Sequence, residues 1–209
     1  MASGFCSRIN RRQAILTMLA TGGAAAMPAE LGATPAKPDT GKAYAAFFLG
    51  QGGYLFSWGI PHLEREARKL GFATDVYNYT DVKPAWASIV RRRKQGYRIA
   101  LVGYSLGNTT ATYLQQHLPV DLLLAISESS LGLNHPVKKE NTKRSMLWYG
   151  PDVLSNAGVH DGFDVVNYVE STHLLMDVDP RVVHGVLAEL KSLVAPKADQ
   201  TAARPNVRS

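Results

Sequence analysis

One serine stands in a setting that would let it act as a nucleophile. Ser105 is the centre of Gly103-Tyr104-Ser105-Leu106-Gly107, after the apolar run 98–102 and before a helix-compatible stretch, 106–117. A serine at a sharp strand-to-helix turn is held in a strained backbone conformation with its hydroxyl exposed above the sheet. The N–H of Leu106 would point at the helix N-terminus, where negative charge is favoured. The pattern predicts that Ser105 attacks a carbonyl carbon while Leu106 stabilises the oxyanion; the alternative is a glycine-rich turn that serves packing alone.

A serine hydroxyl needs a base to take its proton, and position singles out one of the six histidines. His173 directly follows the last predicted strand and precedes the last predicted helix. Loops at the carboxyl ends of parallel strands are where open α/β sheets build their sites. We therefore predict His173 as the base, the alternative being a histidine that caps the final helix.

Three carboxylates could orient that base. Asp152 lies just beyond the predicted strand that ends at Tyr149, and Glu128 lies just beyond the strand before it. Asp161 precedes the last strand, so it would reach the same edge only if the loop before it doubled back. Asp152 is the predicted acid, with Glu128 and Asp161 as alternatives.

Through these residues the chain resembles the lipase and esterase-like members of the α/β-hydrolase superfamily. The resemblance spans residues 43 to 195. The resemblance implies a Ser105, Asp152, His173 triad that hydrolyses an ester or thioester through an acyl-enzyme. It also implies a second oxyanion donor in the loop 50–53, by position the N–H of Gln51. Many relatives carry His-Gly before that donor, whereas this chain has Leu49-Gly50, and a plain tight turn is the alternative. There are two competing interpretations: an amidase or peptidase that uses the same triad, and a binding module on this fold without catalysis.

Alternating strand and helix patterns predict how these residues are positioned. They indicate a single-domain α/β fold, a mostly parallel sheet with helices on both faces, over residues 43–196. The predicted strands are 44–49, 73–79, 98–102, 120–127, 145–149 and 164–169. The predicted helices begin at Pro61, Lys83, Leu106 and Pro180, the last with Asp179 as its N-cap.

The beginning of the chain has the pattern of an export signal rather than of a folded domain. Arg11-Arg12 precedes a modestly apolar stretch, and Ala24-Ala25-Ala26 offers a cleavage site of small residues. The segment resembles a bacterial twin-arginine signal, the alternative being a disordered basic N-terminus. We expect an export signal at 1–26, a flexible leader at 27–42, a disordered tail at 197–209, and a periplasmic or secreted protein.

Composition excludes several classes of partner. The formal net charge of +6 falls to +1 over residues 27–196, which carry 17 basic and 16 acidic side chains, so no nucleic-acid partner is indicated. No metal-ligand spacing or dinucleotide fingerprint is present, and neither a metal nor a cofactor is expected. The apolar stretch 14–26 is too short to span a bilayer. No stable membrane insertion of the mature form is expected. The short connection 129–144 leaves no room for a sizeable lid, so an open site for a small-molecule or lipid ester is expected.

Overall fold

A parallel sheet of six strands forms the centre of the molecule. The computed structural model describes residues 41–129, 135–151 and 162–195, all within one compact unit. The strand order is β2-β1-β3-β4-β5-β6, and each neighbouring pair is parallel. The strands are β1 (Ala43–Leu49), β2 (Phe72–Asn78), β3 (Arg98–Ser105), β4 (Val120–Glu128), β5 (Thr142–Tyr149) and β6 (Val165–Tyr168). The predicted α/β fold with a mostly parallel sheet is confirmed.

Helices cover both faces of this sheet. The described α-helices are α1 (Gly59–Lys69), α2 (Val82–Lys94), α3 (Gly107–His117) and α4 (Pro180–Val194), and short 3₁₀ helices occupy Gly53–Leu55, Lys139–Asn141 and His173–Leu175. Alternate strand residues face opposite sides, as the two-residue period of a strand requires. Phe47, Val102 and Leu124 belong to the core beneath α1 and α4. Phe48 and Leu101 belong to the core beneath α2 and α3.

The first helix begins two residues earlier than predicted, at Gly59 rather than at Pro61. The reason is a distant cap, because the carboxylate of Asp177 accepts the N–H of Gly59 at 2.8 Å. A carboxylate at that place satisfies a backbone donor that the helix itself leaves unpaired. Proline at the third helical position is compatible with this start, because its missing N–H would have no intrahelical partner there.

The last strand is shorter than predicted. The expected strand 164–169 is observed as Val165–Tyr168. At its start, the side chain of Asp164 accepts the N–H of Ser145 at 2.7 Å, in place of a backbone carbonyl. Within the described residues, no helix has the length and apolar character needed to cross a membrane. The predicted export signal, most of the leader and the predicted tail lie outside the described residues and stay predictions.

Candidate active site

Ser105 ends β3 in the strained turn that its sequence pattern predicts. Its φ is 54°, in the left-handed region that side chains other than glycine disfavour by about 1–2 kcal/mol. Gly107 begins α3, and a Cβ on it would lie 2.2 Å from the carbonyl oxygen of Phe48. The start of α3 can therefore lie this close to β1 only with glycine at 107. Leu106 is the N-cap residue of α3, so its N–H belongs to the helix terminus as expected.

The structure brings His173 to this serine across 68 residues of sequence. Nε2 of His173 lies 2.7 Å from Oγ of Ser105, within hydrogen-bonding distance, and the imidazole is buried. The hydroxyl of Tyr104 donates to the carbonyl oxygen of His173 at 2.7 Å, and the two rings stack with centroids 5.6 Å apart. The imidazole is thus held where it could take the proton of the serine.

A second serine, which the sequence patterns did not single out, contacts the other nitrogen of the imidazole. Oγ of Ser127 lies 2.8 Å from Nδ1 of His173. Ser127 is buried near the end of β4 and has a φ of 47°. The sequence did offer one signal: Ser127 follows the apolar run 122–126 of β4, at the edge of the sheet where Ser105 lies.

The acid predicted from sequence remains a prediction. Asp152 and the alternative Asp161 both lie outside the described residues. Glu128 is described: its side chain is 1% exposed, and neither of its carboxylate oxygens has a hydrogen-bond partner among the described residues. Glu128 is therefore not hydrogen-bonded to His173. Burial raises the pKa of Glu128 to about 8, so this carboxyl group is mostly protonated at neutral pH.

The loop after β1 passes directly beside the nucleophile. A Cβ on Gly50 would lie 2.8 Å from Cβ of Ser105, so the loop could not approach this closely with any other residue. The N–H of Gly50 donates to Oγ of Ser57 at 3.1 Å. With that donor engaged, the next N–H along the loop, that of Gln51, is the candidate second oxyanion donor, alongside Leu106.

This loop is joined to the segment that carries the histidine. Asp177 is completely buried, and its carboxylate accepts the N–H of Gly59 at the start of α1. A Cβ on Gly59 would lie 1.8 Å from the carbonyl oxygen of Asp177, so the two backbones are in direct contact. Burial raises the pKa of Asp177 to about 6, while hydrogen bonds from the backbone of Gly59 and Ile60 oppose that rise. The contact fixes the position of the loop 50–59 relative to His173.

Comparison with known proteins identifies the fold through structure and not through sequence. No protein-family model matches the chain, and no curated protein matches it. A B. subtilis protein, the ydeN gene product, has a similar structure, with a TM-score of 0.52 and 13% identity over 72% of this chain and 99% of that chain. A Xanthomonas campestris protein described as an α/β serine hydrolase without a lid gives a TM-score of 0.50 and 14% identity, over 81% and 88%.

A third solved structure, from Xanthomonas campestris pv. campestris and assigned to the α/β hydrolase superfamily, gives a TM-score of 0.50. Its identity is 15%, over 73% of this chain and 98% of that chain. Likenesses at this level of identity establish the architecture alone. The chain has the fold of the α/β hydrolases.

Proposed function

We propose that this protein is a serine hydrolase that cleaves an ester or thioester through an acyl-enzyme. The observation that carries the proposal is the pairing of Ser105 Oγ with Nε2 of His173 at 2.7 Å, on a strained turn at the end of a strand. A nucleophile hydrogen-bonded to a base, with that base oriented by a further group, is the arrangement that activates a hydroxyl for attack. The fold shared with an α/β serine hydrolase supports the same function.

In the proposed reaction, Oγ of Ser105 attacks the carbonyl carbon as Nε2 of His173 takes the hydroxyl proton. The negative charge that develops on the carbonyl oxygen is stabilised by the N–H groups of Leu106 and Gln51. His173 then returns the proton to the departing alcohol or thiol, which leaves an acyl-serine. Water attacks this acyl group with the same base, releasing the carboxylic acid. Asp152 is proposed to stabilise the imidazolium from the Nδ1 side.

Two serines contact His173, so a labelling experiment must tell them apart. A fluorophosphonate should label the purified chain, and Ser105→Ala should abolish the labelling without loss of the fold. Ser127→Ala is the matched control, because it removes the other serine at the imidazole, and it should still be labelled at a reduced rate. Labelling that survives in Ser105→Ala, or that disappears only in Ser127→Ala, would overturn the proposed nucleophile.

We also propose export through the twin-arginine route, as Arg11-Arg12 and the small residues at 24–26 suggest. Replacing both arginines by lysine should leave full-length precursor in the cytoplasm. A processed protein that still reaches the periplasm in this variant would contradict the proposed route.

A further inference from the structure

Large apolar side chains are exposed in two segments, one from each loop of the candidate site. In the loop after β1, Leu55 is 65% exposed, and in the segment that begins at His173, Leu174 is 51% exposed. We call this set the apolar rim; it comprises Tyr54, Leu55, Phe56, Trp58, Leu174, Leu175 and Val178. Contiguous exposed apolar residues are uncommon on soluble proteins and mark surfaces that bind something.

The rim lies beside the proposed nucleophile. Its first segment follows Gly50, which packs against Ser105, and its second segment begins at the residue after the proposed base. The contact between Gly59 and Asp177 brings the segments together, because Trp58 precedes one of these residues and Val178 follows the other. The two segments of the rim therefore meet at their ends, at the edge of the sheet where the reaction would take place.

This surface carries almost no charge. Residues 50–61 contain no Asp, Glu, Lys or Arg, and residues 172–178 contain only Asp177, which is completely buried. The basic run Arg91–Lys94 ends α2 just before β3 begins, so it lies at the opposite edge of the sheet. Tyrosine and tryptophan suit a boundary between lipid and water, since each has an apolar ring and one polar group.

We infer that the apolar rim docks onto the surface of a neutral or zwitterionic ester-lipid aggregate and so presents water-insoluble esters to Ser105. The inference rests on the proposed function. An uncharged apolar surface gains from burial in an interface and gains nothing from anionic head groups, which membrane-binding proteins attract with lysine and arginine. Docking at the rim would place the ester bonds of the aggregate beside the nucleophile.

The first test compares hydrolysis of an emulsified and a soluble ester. Tyr54→Ser/Leu55→Ser removes two exposed rim side chains, and Val166→Ser/Tyr168→Ser is the matched control on β6, three strands along from β3. The ratio of the rate on emulsified triolein to the rate on p-nitrophenyl acetate should fall at least tenfold in the rim variant. It should stay within twofold in the control. An unchanged ratio in the rim variant, or an equal fall in both variants, overturns the inference.

A second test separates docking from catalysis. The Ser105→Ala chain should sediment with phosphatidylcholine vesicles, and to a similar extent with vesicles that also contain phosphatidylglycerol. The same chain with the further substitutions Tyr54→Ser and Leu55→Ser should no longer sediment with either. Binding that requires the anionic lipid overturns the inference. It is also overturned if gel filtration shows a dimer that Tyr54→Ser/Leu55→Ser dissociates, because the rim would then bind a second copy of the chain. If no ester is cleaved and Ser105 is not labelled, the proposed function fails, whereas vesicle binding still decides whether the rim recognises lipid.

Discussion

Strand β4 carries a buried carboxylate near each end, and the two have opposite surroundings. Near its amino end, Asp121 is paired with Arg93 at 3.0 Å and with Lys143 at 2.7 Å, and it accepts the N–H of Ile99 at 2.8 Å. At its carboxyl end, Glu128 is equally buried, and its oxygens have no hydrogen-bond partner in the part of the chain that the structure describes. Among the described residues, one strand therefore has an acid paired with two cations at one edge of the sheet and an acid without an ion pair at the other.

The backbone conformation also differs between the two edges of the sheet, because strained residues lie at the carboxyl edge. Ser105 and Ser127 have positive φ angles, the only residues other than glycine that do so in the described chain, and both lie at the carboxyl edge. Proteins that satisfy local rules elsewhere tend to break them where they function. The ion pairs at the amino edge stabilise the fold, whereas the carboxyl edge contains the strained backbone of the proposed catalytic site.

The contrast between the two edges of the sheet depends most on which carboxylate orients His173. Asp152→Asn should lower kcat by about 10⁴ with little change in KM, because the base loses its orientation and a charge needed in the transition state. Glu128→Gln should keep most of the activity, since Glu128 is protonated at neutral pH and makes no hydrogen bond to His173. Steady-state kinetics of the two variants decides the matter. The reverse pattern would make the unpartnered acid of β4 the catalytic one.

Glu128 should also make stability depend on pH. Its pKa is raised from 4.5 to about 8 in the folded state, so the folded state binds this proton more tightly than the unfolded state does. The protonated carboxyl group makes its full contribution to the free energy of unfolding below pH 4.5, and this contribution is lost as the pH rises to about 8. At about 1.4 kcal/mol per pKa unit, the loss is at most about 5 kcal/mol. In denaturant titrations from pH 5 to pH 9, the wild type should lose more stability than Glu128→Gln, whose remaining loss comes from Asp177 with its pKa of about 6. An equal loss in both would show that Glu128 ionises without penalty.

Removing the partnered acid should have a large effect on stability and none on chemistry. Asp121→Ala leaves the guanidinium of Arg93 and the N–H of Ile99 without their partner, and we expect the free energy of unfolding to fall by about 3 kcal/mol. The matched control is Asp179→Ala, which removes an acid that caps α4 and should cost about 1 kcal/mol. Denaturant unfolding measures both. A loss of kcat in folded Asp121→Ala would contradict the division between the two edges.

The smallest expected effect concerns Ser127. Ser127→Ala removes the hydroxyl at Nδ1 of His173 and should lower kcat about tenfold, as the loss of one hydrogen bond to a buried group would. Ser127→Gly removes the same hydroxyl and also relieves the positive φ, so it should be about 1 kcal/mol more stable than Ser127→Ala with the same kcat. Kinetics and unfolding of the pair separate the contact from the strain. Unequal kcat values would show that the backbone, and not the hydroxyl, sets the position of the base.

The parts of the molecule that depend on local patterns could be predicted from sequence. Buried strands and amphipathic helices produced the correct sheet, and the pentapeptide around Ser105 produced the correct turn. The contact of Ser127 with His173 could not be predicted, because it joins residues 46 positions apart through a bulge in β4. The cap on α1 could not be predicted either, since its carboxylate comes 118 residues after Gly59.

The apolar rim was missed for a related reason. Tyr54 and Leu55 are residue types that the core also uses, and only the folded chain shows that nothing described covers them. A sequence pattern gives the polarity of a loop residue, whereas its exposure depends on every element that packs around it.

The contact between Gly59 and Asp177 has a consequence for the order of events during synthesis. A chain that leaves the ribosome with β1, α1 and Ser105 already made still lacks the carboxylate that caps α1, and it lacks His173 as well. Both follow Ser105 by 68 residues or more, together with α4, which completes the core on one face of the sheet. A nascent or truncated chain that stops before His173 therefore lacks both the proposed base and the cap of α1, so the candidate site cannot yet be assembled.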